Sequence, residues 1–110
     1  MTDTHVVLVT APDAEVAVDL SRKLLSEGLI ACGNVLPGVT SVYRWEEEVH
    51  EDPEVLLVLK THRSRLEELV RRVPDLHPYD VPEVLALEVG AGHPAYVEWV
   101  AGECRPRDRS

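Results

Sequence analysis

The segment Leu29-Ile-Ala-Cys-Gly-Asn-Val-Leu-Pro-Gly-Val-Thr-Ser-Val-Tyr-Arg-Trp45 decides how the rest of the chain is arranged. It is apolar and β-prone, which favours a pleated strand, and it is broken at one place, Pro37-Gly38. A proline inside a strand removes a ladder donor and a glycine there invites a bulge, so the reading is one long strand bent at that pair. Glu46-Glu-Glu48 is a polar connection. Val49 to Glu51 and then Val55-Leu-Leu-Val-Leu-Lys-Thr61 form the returning strand, with Pro53 as a second interruption. The pair makes a long hairpin whose outer arm carries Val42, Tyr43, Trp45 and Val49. An isolated two-stranded ribbon is marginal in water, so this arm calls for a surface to pack on, and a partner subunit is the simplest one.

Upstream, Val6-Val-Leu-Val-Thr10 reads as a buried strand ending at Ala11-Pro12. Asp13 can cap a helix whose apolar positions Val16, Ala17, Leu20, Leu24 and Leu25 recur at helical spacing until Gly28 stops it. Downstream, the spacing of Leu66, Leu69, Val70 and Val73 predicts a second amphipathic helix over 64–73, with Pro74 as its stop. A proline-stiffened loop from Leu76 to Pro82 leads into a strand, Val84 to Val89, then a Gly90-Ala-Gly92 turn and a short helix from Pro94 carrying Tyr96, Val97 and Trp99. The order βαββαβ plus a terminal helix predicts an α+β fold of ferredoxin-like type, a four-stranded sheet with two helices on one face. The first and third strands have almost no polar alternation, so the other face needs cover too.

A chain of 110 residues supports one core, here a single domain over 1–104 followed by a polar tail, 105–110. No run approaches the roughly 18 apolar residues of a membrane span. The net charge of −9 argues against nucleic acid or an anionic membrane as partner, because neutralising phosphates requires a basic patch. Arg63, Arg65, Arg71 and Arg72 alternate with Glu67 and Glu68, as on a solvated helix face. Met1-Thr-Asp-Thr-His-Val6 has no basic region ahead of an apolar stretch, so the expected compartment is cytoplasmic, and a reducing compartment leaves Cys32 and Cys104 as thiols.

Four of these stretches also form a recognisable series: Thr10-Ala-Pro-Asp13, Ala31 through Trp45, Val55 through Thr61, and His77-Pro-Tyr-Asp-Val-Pro-Glu83. In order and spacing, over about residues 5 to 100, the chain resembles the CutA divalent-ion tolerance family. The resemblance implies a ferredoxin-like protomer in a tight homotrimer with crossing hairpin arms, similar in shape to PII signalling proteins, and a link to divalent cations such as copper. Two departures matter. Glu47 stands where the family often has glycine at the hairpin tip, which disfavours a tight turn with positive φ and predicts a looser connection. Val9 and Leu76 occupy positions where some members carry Cys and His, so of that potential soft-metal set only His77 remains.

A transition-metal site needs three or four converging donors. His77 is the candidate ligand for copper or zinc, with Asp80 and Glu83 as further donors on the same loop and others supplied across an interface; the plainer reading has His77 bonding a backbone group to hold the loop. Cys32 is a candidate redox or metal thiol, or a small buried hydrophobe. Cys104 lies among polar residues with no evident partner. Lys60 ends an apolar strand and must reach solvent, a carboxylate or an anionic ligand. The resemblance groups it with Trp45, Tyr79 and Glu83 in an intersubunit cleft for a small anionic ligand or a protein partner, while Trp45 and Tyr79 also suit interface packing. Asn34, polar within an apolar strand, is expected to bond backbone near the bulge. No nucleophile and base, and no Gly-rich phosphate loop, can be assembled, so the chain is not expected to be an enzyme.

Overall fold

The computed structural model describes residues 2–104, so the predicted tail at 105–110 lies outside the described residues. The elements run β1 (Thr4–Ala11), α1 (Ala14–Ser26), β2 (Cys32–Trp45), β3 (Glu48–His62), α2 (Arg63–Leu76), β4 (Leu85–Glu88) and α3 (Pro94–Glu103). The strands form one sheet in the order β2-β3-β1-β4, and every pairing is antiparallel.

Local sequence places the helix ends. Asp13 accepts the Val16 N–H at 2.8 Å and opens α1. Gly28, at φ 72°, lets the chain reverse while the Gly28 and Leu29 N–H groups bond the Leu25 and Leu24 carbonyls, both at 3.0 Å. At the start of α2, His62 Nδ1 accepts the Ser64 N–H at 3.1 Å. Pro74 does not stop α2, which continues to Leu76. Pro74 lacks the N–H that would bond the carbonyl four residues back, and packing of Leu76 against the core offsets that one lost bond.

Alternation along the central strands separates two faces. Val7 and Val9 of β1 and Leu57 and Leu59 of β3 are buried with Ala17, Leu20 and Leu24 of α1 and Leu69 and Val73 of α2. The intervening residues Val6, Leu8, Leu56 and Val58 are only half-buried, and Leu85 and Leu87 of β4, paired across from Leu8 and Val6, are exposed. The sheet therefore has a helix-covered face and an apolar face that one chain leaves open. Leu29 and Ile30, read as the start of the long strand, instead form a buried connection into β2, tied by the Thr61 hydroxyl to the Leu29 carbonyl at 2.7 Å. The fourth strand is shorter than the predicted 84–89, although the Val89 N–H still reaches the Thr4 carbonyl at 3.1 Å. Val100 of α3 closes on Ala31 and Cys104, so Cys104 is buried, with Sγ 3.8 Å from the Thr61 hydroxyl, and is not among exposed terminal residues as its neighbours imply.

The hairpin is long and bent where Pro37-Gly38 predicts. Leu36 opposes Leu56 and Val39 opposes Glu54, so β2 carries one extra residue, and Gly38 takes φ 82° inside the bulge. The tip corrects an expectation. Trp45 pairs with Glu48, and Glu46 and Glu47 form a tight two-residue turn at φ 50° and 70°. The ladder beyond the bulge runs without a break to Trp45–Glu48, and the turn takes the type I′ pattern, whose twist matches the strands and which needs positive φ at both turn positions, so pairing overrides the preference of two glutamates.

Candidate functional site

The bulge does more than bend the arm. A one-residue insertion reverses which side chains face which side of a strand. Before it, Cys32, Asn34 and Leu36 share the side away from α1 and α2 with their partners Lys60, Val58 and Leu56; after it, Ser41, Tyr43 and Trp45 take that side, opposite Asp52, His50 and Glu48. At this end of the sheet the arm meets the segment between α2 and β4. Together Tyr43, Trp45, Asp52, Glu54, Tyr79 and Glu83 line a cleft of about 690 Å³, with Thr10 and Asp80 also at its wall.

His77 fixes the loop side of this cleft. Its Nε2–H donates to the Thr10 carbonyl at 2.8 Å and its Nδ1 accepts the Tyr79 N–H at 3.1 Å. A carbonyl only accepts and an amide N–H only donates, so these partners select the neutral Nε2–H tautomer. Both ring nitrogens are thereby engaged, and the side chain is 8% exposed. Tyr79 packs on the His77 ring, centroids 4.7 Å apart, and donates from its hydroxyl to Glu54 Oε2 at 2.8 Å, tying loop to hairpin. Burial first, then the Glu54 carboxylate, pushes the Tyr79 phenol up to about 12. Tyr43 donates to Asp52 Oδ2 at 2.5 Å and stacks on His50 at 5.5 Å; that hydrogen bond is the main cause raising its phenol above the ordinary tyrosine range.

Trp45, Tyr79 and Glu83 are brought together, whereas Lys60 does not join them within the protomer. Lys60 lies farther along β3, opposite Cys32 of β2 and Val6 of β1. Its ammonium donates to Asn34 Oδ1, which also receives the Cys32 thiol at 3.7 Å. Asn34 thus serves side chains rather than the backbone of the bulge. Tyr96 of α3 borders the same group, and its phenol is raised by burial first and then by Cys32. Cys32 is half-buried. Asp52 and Glu54 were not singled out by the sequence, although their two-residue spacing on a strand puts them on one face.

For a first-row transition metal the fit within one protomer is poor. Among the described residues no group of three or more His, Cys, Asp or Glu side chains gathers around one point. His77 would have to surrender a backbone bond to offer a lone pair.

The family model described as CutA1 divalent ion tolerance protein matches residues 5–103. The divalent-cation tolerance protein CutA of Thermus thermophilus is 47% identical over 87% of this chain and 93% of its own length. The chloroplastic CutA of Arabidopsis thaliana is 45% identical over 91% of this chain, which spans 55% of that longer protein. Among solved structures, CutA from Xylella fastidiosa superposes with a TM-score of 0.91 at 36% identity, covering 94% of this chain and all of that one. The Thermus thermophilus protein gives 0.88 at 45% identity, covering 91% and 97%. On the family match and these identities, the chain belongs to the CutA1 divalent ion tolerance protein family.

Proposed function

We propose that the chain serves tolerance to divalent cations, without catalysing a reaction, as a homotrimer of ferredoxin-like protomers with the PII-like shape. The observation that carries this reading is family membership over residues 5–103, in which the relatives are named for divalent-cation tolerance. Assembly is supported by the apolar face that one chain leaves open, where Leu85 is 58% and Leu87 is 50% exposed, and by the exposed arm residues Val42 and Val49. Among the described residues a single protomer gathers no three metal donors, so copper or zinc is met by groups shared between subunits or held only weakly, with Asp80 and Glu83 as exposed donors on the same loop as His77.

Two measurements test the reading. Sedimentation equilibrium of the purified protein is expected to give three times the formula mass of 12.3 kDa. Calorimetric titration with Cu²⁺ and Zn²⁺ is expected to show fewer than one ion bound per chain, reduced by Asp80→Asn with Glu83→Gln. A monomer that binds one ion tightly per chain defeats the assembly and the shared site together.

A further inference from the structure

We propose that His62, where β3 passes into α2, is a pH-sensitive switch that caps α2 when its ring is neutral and pairs with Asp3 when its ring is charged. Its Nδ1 accepts the Ser64 N–H at 3.1 Å and lies 2.9 Å from the Ser64 hydroxyl, while its Nε2 lies 4.0 Å from Asp3 Oδ2. The two nitrogens face opposite demands. The N–H that opens the helix needs a lone pair at Nδ1, which only the neutral ring has, whereas the Asp3 carboxylate draws a charged ring. An imidazole ordinarily changes charge between about pH 5 and 8, so a modest acidification moves the residue from one role to the other.

A proton on Nδ1 takes the acceptor from the Ser64 N–H and makes the nitrogen a donor, which the Ser64 hydroxyl can accept. It also sets a positive charge at the N-terminal end of α2, where the helix dipole is already positive. The first turn of α2 has no acidic residue and carries Arg63 and Arg65. Compensation comes from Asp3, which is 58% exposed and also faces Arg63 Nε at 3.5 Å. The other titratable groups at this corner are His5, whose Nδ1 lies 3.4 Å from the Asp3 carbonyl, and at the end of α3 the Cys104 thiol, which meets the His62 backbone, with Glu103 beside it. The turn that His62 caps has a task in the fold. Arg65 donates to the Gly28 and Glu27 carbonyls at 3.3 and 3.4 Å, and Leu66 packs on the core. Acid therefore loosens the hold of α2 on the turn after α1 while drawing the segment ahead of β1 toward the ring. The switch sits at the end of α2 remote from His77 and goes beyond the tolerance role proposed above.

The test is NMR of the intact, isotope-labelled protein titrated from about pH 7.5 to about 5.5, with His62→Asn and Asp3→Asn alongside. Asparagine is a strong helix cap and does not titrate, so His62→Asn keeps the cap and removes the switch. In the parent protein the Ser64 amide proton is expected to move upfield along the same curve as the His62 ring protons. Over the same range amides 66–68 lose protection from hydrogen exchange several-fold, after correction for the intrinsic pH dependence. His62→Asn abolishes the loss and keeps the protection seen at neutral pH. Asp3→Asn moves the transition a few tenths of a pH unit lower, the scale of one exposed ion pair. The proposal is overturned if the Ser64 amide does not follow the ring, if the loss of protection persists in His62→Asn, or if Asp3→Asn leaves the midpoint where it was.

Discussion

His77 and Thr10, on a loop and on the end of β1, are joined by a 2.8 Å bond from the imidazole Nε2–H to the backbone carbonyl. With Nδ1 taking the Tyr79 N–H, one buried ring satisfies two backbone groups. Removing it takes the partner from a part-buried acceptor and a part-buried donor, at about 0.5–1.5 kcal/mol per hydrogen bond. His77→Ala is therefore expected to lower the urea midpoint with little change in slope, whereas His77→Gln, which keeps a donor and an acceptor, recovers part of the loss. If His77→Ala leaves the midpoint unchanged, the loop is held by something other than this ring.

The turn at Glu46-Glu47 makes a second expectation. Both residues sit at positive φ, a conformation that costs a non-glycine residue roughly 1–2 kcal/mol. Glu47→Gly relieves the strain and is expected to raise hydrogen-exchange protection of the arm amides from Tyr43 to Glu51 by several-fold, with little effect on β1. Equal or lower protection would mean that the added freedom of glycine in the unfolded arm outweighs the relief.

Much of this architecture is legible in sequence because it rests on local rules. The Gly28 stop, the Asp13 cap and the Pro37-Gly38 bend each follow from a backbone requirement that one residue type meets. The failures are all places where distant pairing wins. Pro74 stays helical because Leu76 has a core to join, and Glu46-Glu47 turn tightly because the strands on either side are already in register. Cys104 is buried by Val100 and Ala31, which its polar neighbours in sequence do not announce. The candidate site was half visible. Trp45, Tyr79 and Glu83 share the cleft, but Asp52 and Glu54 join them only because the bulge reverses the facing of β2, and the same register carries Lys60 away.

The tyrosines supply a pH signature. All three phenols are raised, Tyr79 to about 12, and in Tyr79 burial is the leading cause with the Glu54 bond second. The protonated form is the one the fold favours. Its contribution to stability is fully present below the unfolded value of 10 and is lost as pH rises from there toward 12. Ultraviolet titration is expected to show the highest phenolate transition missing in Tyr79→Phe and shifted downward, without returning fully to 10, in Glu54→Gln. A Glu54→Gln titration that overlays the parent would remove the bond from the account.

The two thiols differ in access, and that gives the last test. Cys104 is 3% exposed, and burial pushes its thiol above the ordinary range despite the nearby Thr61 hydroxyl. Cys32 is half-buried on the side of the sheet away from α1 and α2, with its thiol directed to Asn34 beside the Lys60 ammonium. A disulfide reagent such as DTNB at neutral pH is expected to modify one thiol per folded chain in a fast phase that Cys32→Ser abolishes and Cys104→Ser leaves intact. The second thiol should react only at the rate of unfolding, and so accelerate with urea. Protection of both thiols in the native protein would instead place Cys32 under a subunit contact, and dilution to the point of dissociation should then restore the fast phase.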